Sequence, residues 1–267
     1  MKTICRAVLI VLVAAACAKA PAGAGTEHPS GADQLVLRVQ HTGGLINPAV
    51  TADQVPEFSL LGDGSVFTPG AAPAIYPGPA IEEPLVTRLS DGGVQAILAA
   101  AREAGLFANN TSNGPGIPDT GTTVITVVDG GKTYVSRYVG LSSSGANAAV
   151  SRFIAKLSNL RTWLPPGSVG PDQAYVPTSV AVTVQPYQPG KGPSQTPIAW
   201  PLGEPLGGSG MPGTTASAGG SCDIVSGNDL AKLMPLISRA NQLTPWRYSG
   251  RSYALGFRPL LPDQNSC

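Results

Sequence analysis

Charge is scarce in this 267-residue sequence, and histidine is scarcer. Only 12% of residues are charged, and 17 basic against 16 acidic side chains leave a formal charge of +1. That balance excludes the clustered basic surface that nucleic-acid binding requires, and equally a polybasic membrane stripe. The chain carries two histidines and four cysteines, and the usual signatures of chemistry are missing. No Ser stands in a G-x-S-x-G setting, and no Ser lies three residues before a Lys. The H-E-x-x-H zinc pair and the G-x-x-x-x-G-K-[ST] phosphate loop are absent too. No metal, no cofactor and no catalytic residue is therefore expected, and the chain is read as a non-enzyme. Long apolar runs are also lacking. The apolar segment Ala7–Ala16 has ten residues, half of the roughly 20 that span a bilayer.

Glycine and proline are plentiful, 33 and 26 residues. With 42% hydrophobic residues a packed core is available, but such frequent punctuation implies short elements joined by long loops. The opening segment is an address. Lys2 and Arg6 precede the apolar Ala7–Ala16 stretch, the layout of an export signal over 1–16. Two processing readings compete. Val13-Ala14-Ala15-Ala16-Cys17 resembles a bacterial lipoprotein box, in which Cys17 is acylated and begins the mature chain. Ala18-Lys19-Ala20 fits ordinary signal cleavage, although Pro21 would follow the cut. Two or three acyl chains give lasting membrane anchorage, since each buried CH₂ contributes about 0.8 kcal/mol. Residues 17–32 then form a flexible spacer that holds a solvated His28.

Cysteine usage agrees with export. Cys5 leaves with the signal and Cys17 takes lipid, so Cys222 and Cys267 remain to pair in an oxidising compartment. The closed loop of roughly 45 residues contributes about 4 kcal/mol on the chain-entropy account.

The patterning predicts an α+β fold in two lobes. Over 33–165, Leu35, Leu37 and Val39 alternate with polar residues as a half-buried strand does. Gly62-Asp63-Gly64 and Asp129-Gly130-Gly131 each sit between apolar runs as hairpin turns. Helices are expected from Asp91 to Ala104, capped by Ser90, and from Asn147 to Leu164. The result is an antiparallel sheet of hairpins with two helices on one face. Residues 166–221 read as a Pro/Gly-rich linker with eleven of each between Pro165 and Ser221, broken by a strand at 179–185 and an extended edge segment at 198–202. Residues 222–267 form a smaller, loop-rich α+β lobe closed by the disulfide and packed with 179–202. Its helix, capped by Asn228 or Asp229, runs through Asn241, with Pro235 expected to kink it or to mark a fresh first turn.

Candidate sites are few. His41, at the end of the first strand beside Gly43-Gly44, is the lone histidine of a folded lobe. Glu82-Glu83, adjacent in a loop, read as solvated surface. Trp200, Trp246, Arg247, Tyr248, Arg251 and Tyr253 gather in the second lobe; Trp, Tyr and Arg dominate binding hot spots, though a small stapled lobe also needs aromatics as core. The expected role is a non-catalytic binding or accessory protein at the cell surface, with a protein or cell-wall ligand and no nucleic acid. A hydrolase with a loop-built site near His41, around 109–120 and 140–145, and a protease inhibitor acting through a rigid exposed loop are the alternatives.

The lipobox-like Cys17, the Ala/Gly/Pro bias and phrases such as Phe58-Ser59-Leu60-Leu61-Gly62-Asp63-Gly64 and Ala104-Gly105-Leu106-Phe107 resemble exported lipoproteins of high-GC Gram-positive (actinobacterial) bacteria that carry no assigned function. The resemblance implies a location on the outer face of the cell membrane and brings no catalytic residues. Intact-mass analysis of the membrane fraction is expected to show a lipid adduct on Cys17; a free N-terminus at Pro21 or beyond would establish plain secretion.

Overall fold

Leu35–Thr42 (β1) runs through the middle of the larger sheet, and both of its faces are withdrawn from water. Leu37 and Val39 are fully buried on one side, while Arg38 is only 13% exposed on the other. The computed structural model describes residues 27–44, 54–112, 119–190, 192–203 and 221–267. The expected signal, Cys17, most of the spacer and residues 204–220 lie outside them.

β1 pairs antiparallel with Phe58–Leu61 (β2) and with Thr122–Asp129 (β6). Ser65–Thr68 (β3), Leu85–Arg88 (β4), Thr111–Ser112 (β5), Lys132–Val139 (β7) and Gln173–Ala174 (β8) complete eight strands in the order β5-β7-β6-β1-β2-β3-β4-β8. Only β5–β7 is parallel among these pairs. Gly64 makes the β2–β3 turn with φ 83°, and a side chain there would strike the Leu89 carbonyl, so the expected hairpin needs glycine twice over. Two helices, Asp91–Glu103 (α1) and Ala148–Leu157 (α2), cover one face. The Ser90 hydroxyl accepts from the Gly93 N–H at 3.3 Å, as the sequence predicts. Val94, Ile97, Leu98 and Ala101 of α1 and Val150, Phe153 and Leu157 of α2 bury against Leu37, Val39, Phe58, Leu60, Val66, Ile125 and Val127.

The second sheet holds Ser179–Pro186 (β9), Ile198–Ala199 (β10), Ser221–Ser226 (β11), Pro245–Tyr248 (β12) and Arg251–Pro259 (β13), in the order β10-β12-β13-β9-β11. Helix Gly227–Ile237 (α3) packs Leu230, Leu233 and Ile237 onto Val180, Val182, Trp246 and Phe257. Cys222 and Cys267 are disulfide-bonded. The fold is thus α+β with two mostly antiparallel sheets.

Several local expectations are corrected. The helix expected over 147–164 ends at Leu157. Asn159 leaves helical geometry, with φ −147° and ψ 63°, and a single 3₁₀ turn at Leu160–Thr162 carries Leu164 back to the core. The helix expected to reach Asn241 stops at Ile237, after which the N–H groups of Arg239 and Ala240 bond to carbonyls three residues back, on Leu236 and Ile237; Pro235 lies inside its last turn, and its N-cap is Ser226, without a side-chain bond. Strands β4, β5 and β8 are not expected from the sequence, since each becomes a strand only through the neighbour it pairs with. His28 is not a solvated spacer residue. Its side chain is 13% exposed, with Nε2 3.7 Å from Asp91 at the start of α1.

The back face of the larger sheet is covered by the chain's last residues. After β13, Leu260 bonds through its N–H to the Ser179 carbonyl and accepts from the Tyr175 hydroxyl at 2.9 Å. Leu261 is 1% exposed among Val55, Leu61 and Phe67. Asp263 then takes both carboxylate bonds, 2.8 Å each, from Nη2 of Arg38, and Arg38 Nε donates to Ser59 Oγ at 3.0 Å. The Asp263 side chain is 7% exposed. Removing one partner of a buried pair strands the other charge. Asp263→Ala is therefore expected to cost about 3–5 kcal/mol in chemical denaturation, against less than about 1 kcal/mol for breaking the exposed Lys232–Asp229 pair.

Candidate functional site

Strand register, not sequence proximity, builds the polar end of the first core. His41 lies directly opposite Thr123 in the β1–β6 ladder, on the face that buries Val39 and Ile125. Its Nδ1 is 3.1 Å from Thr123 Oγ1, and its Nε2 is 2.6 Å from Oε2 of Glu57, the residue that leads into β2. Around them opens a cleft of about 530 Å³, floored by Gly43, Gly44 and Gly121 and walled by Asp119, Ser151 and Ile154. The Ser151 hydroxyl donates at 2.7 Å to the Ser142 carbonyl.

His41 is held above the ordinary imidazole value of 6.5. The Glu57 hydrogen bond is the largest cause; partial burial works against it, and the Glu57 charge adds a smaller push upward. Both ring nitrogens are engaged, Nε2 by the Glu57 carboxylate and Nδ1 by the Thr123 hydroxyl. Thr123, the hydroxyl in contact, is 4% exposed. The arrangement is a hydrogen-bonded polar plug at the end of a hydrophobic core. Sequence reading singled out His41 and missed Glu57 and Thr123, since nothing local reveals which strands become neighbours.

The aromatic cluster of the second lobe resolves into core and rim. Trp246 is fully buried, edge-on to Phe257 at 5.3 Å and to Trp200 at 6.0 Å, so it presents no surface to a ligand. Trp200 is half-buried, its backbone N–H bonded to the Arg247 carbonyl at 2.8 Å. Tyr253 packs half-buried on the same core, and the Tyr248 hydroxyl bonds to the Gly203 carbonyl at 3.4 Å. Arg247 and Arg251 are exposed. They do not share a surface, because Arg247 faces Ser252 across the hairpin while Arg251 faces Tyr248, and alternate residues of a strand point to opposite faces. Cys17 lies outside the described residues.

A different surface stands out. In the loop between β3 and β4, Ala71-Ala72-Pro73-Ala74-Ile75-Tyr76 are six consecutive apolar residues, all exposed. Ile75 is 64% and Tyr76 71% exposed. Such a run is unfavourable in a folded chain unless it serves contact. Five prolines (Pro69, Pro73, Pro77, Pro79 and Pro84) limit the loop's freedom. Its feet are fixed: Gly70 packs on the Glu83 carbonyl with no room for a side chain, Gly78 accepts from the Gln242 N–H, and Glu82 accepts from the Val55 N–H. Burial raises the Glu82 pKa, with the Val55 bond opposing. No charged residue occurs from Pro69 to Ile81.

Among the described residues no group of three His, Cys, Asp or Glu could hold a metal, and no helix is long and apolar enough to cross a membrane. No family model, no curated protein and no solved structure matches this chain.

Because the His41 pKa is raised by its partner, the stabilisation from the pair is fully present below pH 6.5 and is lost as pH rises through the folded value. Glu57→Gln is expected to lower the melting temperature by about 1–3 °C at pH 5.5–6.5 and by almost nothing at pH 9. Titration followed by NMR should place His41 above 6.5 in the wild type and return it toward that value in the variant.

Proposed function

We propose that this chain is an extracytoplasmic binding or accessory protein, anchored to the outer face of the cell membrane by lipid on Cys17, that engages another protein through the Pro69–Pro84 loop without turning it over. The observation that carries this reading is the exposed apolar run Ala71–Tyr76, preset by prolines and held at both feet. A contact segment ordered before binding loses little entropy on docking, and a Tyr beside an Ile at its crest is the composition of a protein hot spot. Chemistry favours a protein over a lipid surface. The loop carries no cation, and Glu82 and Glu83 stand at its foot, where an anionic leaflet would repel it. The lipobox-like segment ending at Cys17 and the Cys222–Cys267 bond support the extracytoplasmic setting, since disulfides persist in oxidising compartments.

A hydrolase centred on His41 is the second reading, and the Glu57–His41–Thr123 chain of hydrogen bonds favours it. The Thr123 hydroxyl, buried in the sheet, weighs against it. A partner protease would be inhibited by the same loop.

A photo-crosslinking amino acid in place of Tyr76, in cells that make the protein, is expected to give one discrete protein adduct, lost on Ile75→Asp and absent when the probe replaces the exposed Lys132. No adduct at Tyr76 would reject the loop as a contact surface. Turnover of ester, amide or glycan substrates that disappears in His41→Ala would establish the hydrolase instead.

A further inference from the structure

The C-terminal residues form a strap whose two ends belong to one lobe and whose middle belongs to the other. It leaves the second sheet at the end of β13 and returns to it through the disulfide between Cys267 and Cys222 of β11. Between those points Leu261 and Asp263 plug the back face of the first sheet, at the Val55–Leu61–Phe67 cluster and at Arg38. Arg258 reinforces the returning end, with Nη1 on Gln264 Oε1 at 3.1 Å and Nη2 on the Ser266 carbonyl at 3.4 Å. Gln264 Oε1 also accepts from the Leu261 N–H at 3.1 Å, which closes a turn behind Asp263.

We infer that the Cys222–Cys267 bond is a redox latch on the docking of the two lobes, and not a staple of the smaller lobe alone. Oxidised, the strap is fixed at both ends and presents Asp263 to Arg38 at high effective concentration. Reduced, the strap keeps one covalent tie, to β13 through Leu260, and the buried guanidinium depends on a carboxylate held by non-covalent contacts alone. Cys267 is exposed, so a dithiol can reach it. A thiolate of the dithiol attacks Cys267 Sγ, breaking the S–S bond and releasing the Cys222 thiolate. The second thiol of the reagent then displaces Cys267 as it closes its own disulfide. Two electrons pass from the dithiol to the protein, and both cysteines take up protons. The inference concerns how the lobes are held together and does not depend on what the Pro69–Pro84 loop binds.

Coupling of this kind is reciprocal. If the disulfide favours the Arg38–Asp263 pair, then loss of the pair must make the disulfide easier to reduce by the same factor. The experiment equilibrates the folded mature protein with dithiothreitol and its oxidised form. Asp263→Asn is expected to shift the equilibrium toward the dithiol by about tenfold. Phe153→Ala, which weakens the first lobe far from the strap, should leave it unchanged. In parallel, reduction of the wild type should speed amide exchange in β1 and in Leu260–Gln264, a measurement that needs no variant to fold. An equal shift in Phe153→Ala and Asp263→Asn, or unchanged β1 exchange on reduction, would overturn the latch and confine the disulfide to the second lobe.

Discussion

A guanidinium and a carboxylate 225 residues apart meet where both are largely withdrawn from bulk water, and much of this molecule is arranged around that meeting. Arg38 stands in the central strand of the larger sheet, on the face turned away from the helices. Left unpaired, a charge so withdrawn from solvent would cost several kcal/mol. Asp263 and Ser59 satisfy it, and Leu261 fills the apolar ground beside them. The larger sheet is therefore covered on its second face by residues that belong to the end of the chain. A sheet with both faces covered has no need of the in-and-out alternation of a solvated one, which accounts for the wholly buried Phe58–Leu61 strand.

The same docking joins the lobes at more than one point. Tyr175 reaches Leu260, and β-bridges tie Pro79 to Asn241 and Ile81 to Phe257. The long loop after β3 is consequently a cross-brace as well as a surface feature. Its feet are held by the junction, and its crest is left outside it. That division separates the two polar and apolar peculiarities of the molecule. The His41–Glu57–Thr123 plug lies at the end of the first core and is explained by the need to finish a hydrophobic layer with satisfied polar groups. The Ala71–Tyr76 run has no such internal explanation, which is why the proposed function rests on it.

Elements whose signals are local were readable. Ser90 before an apolar periodicity, Asp-Gly pairs between β-branched runs, and alternation in Leu35–Val39 and Val180–Val184 each specify a conformation over a few residues, and the structure adopts it. Elements made by pairing were not. Leu85–Arg88 becomes a strand only because β3 lies beside it, and Gln173–Ala174 only because β4 does. The site divided in the same way. His41 was conspicuous because histidine is scarce here, whereas Glu57 and Thr123 are common residue types that acquire meaning through register. The aromatic cluster was ambiguous for a related reason. Trp and Tyr are as useful in a small core as at an interface, and composition does not separate the two; burial of Trp246 does.

By itself the sequence determined the α+β class, the hairpin turns and the capped first helix, because each follows from short-range sterics or periodicity, and it pointed to the Cys222–Cys267 pairing that the structure contains. Only the tertiary structure decided that the tail belongs to the first sheet as much as to the second, that Arg38 finds Asp263, and that His41 is occupied at both nitrogens. Those outcomes depend on contacts between residues far apart in the chain, selected by burial and charge pairing once the sheets have formed, and no local pattern in the sequence records them.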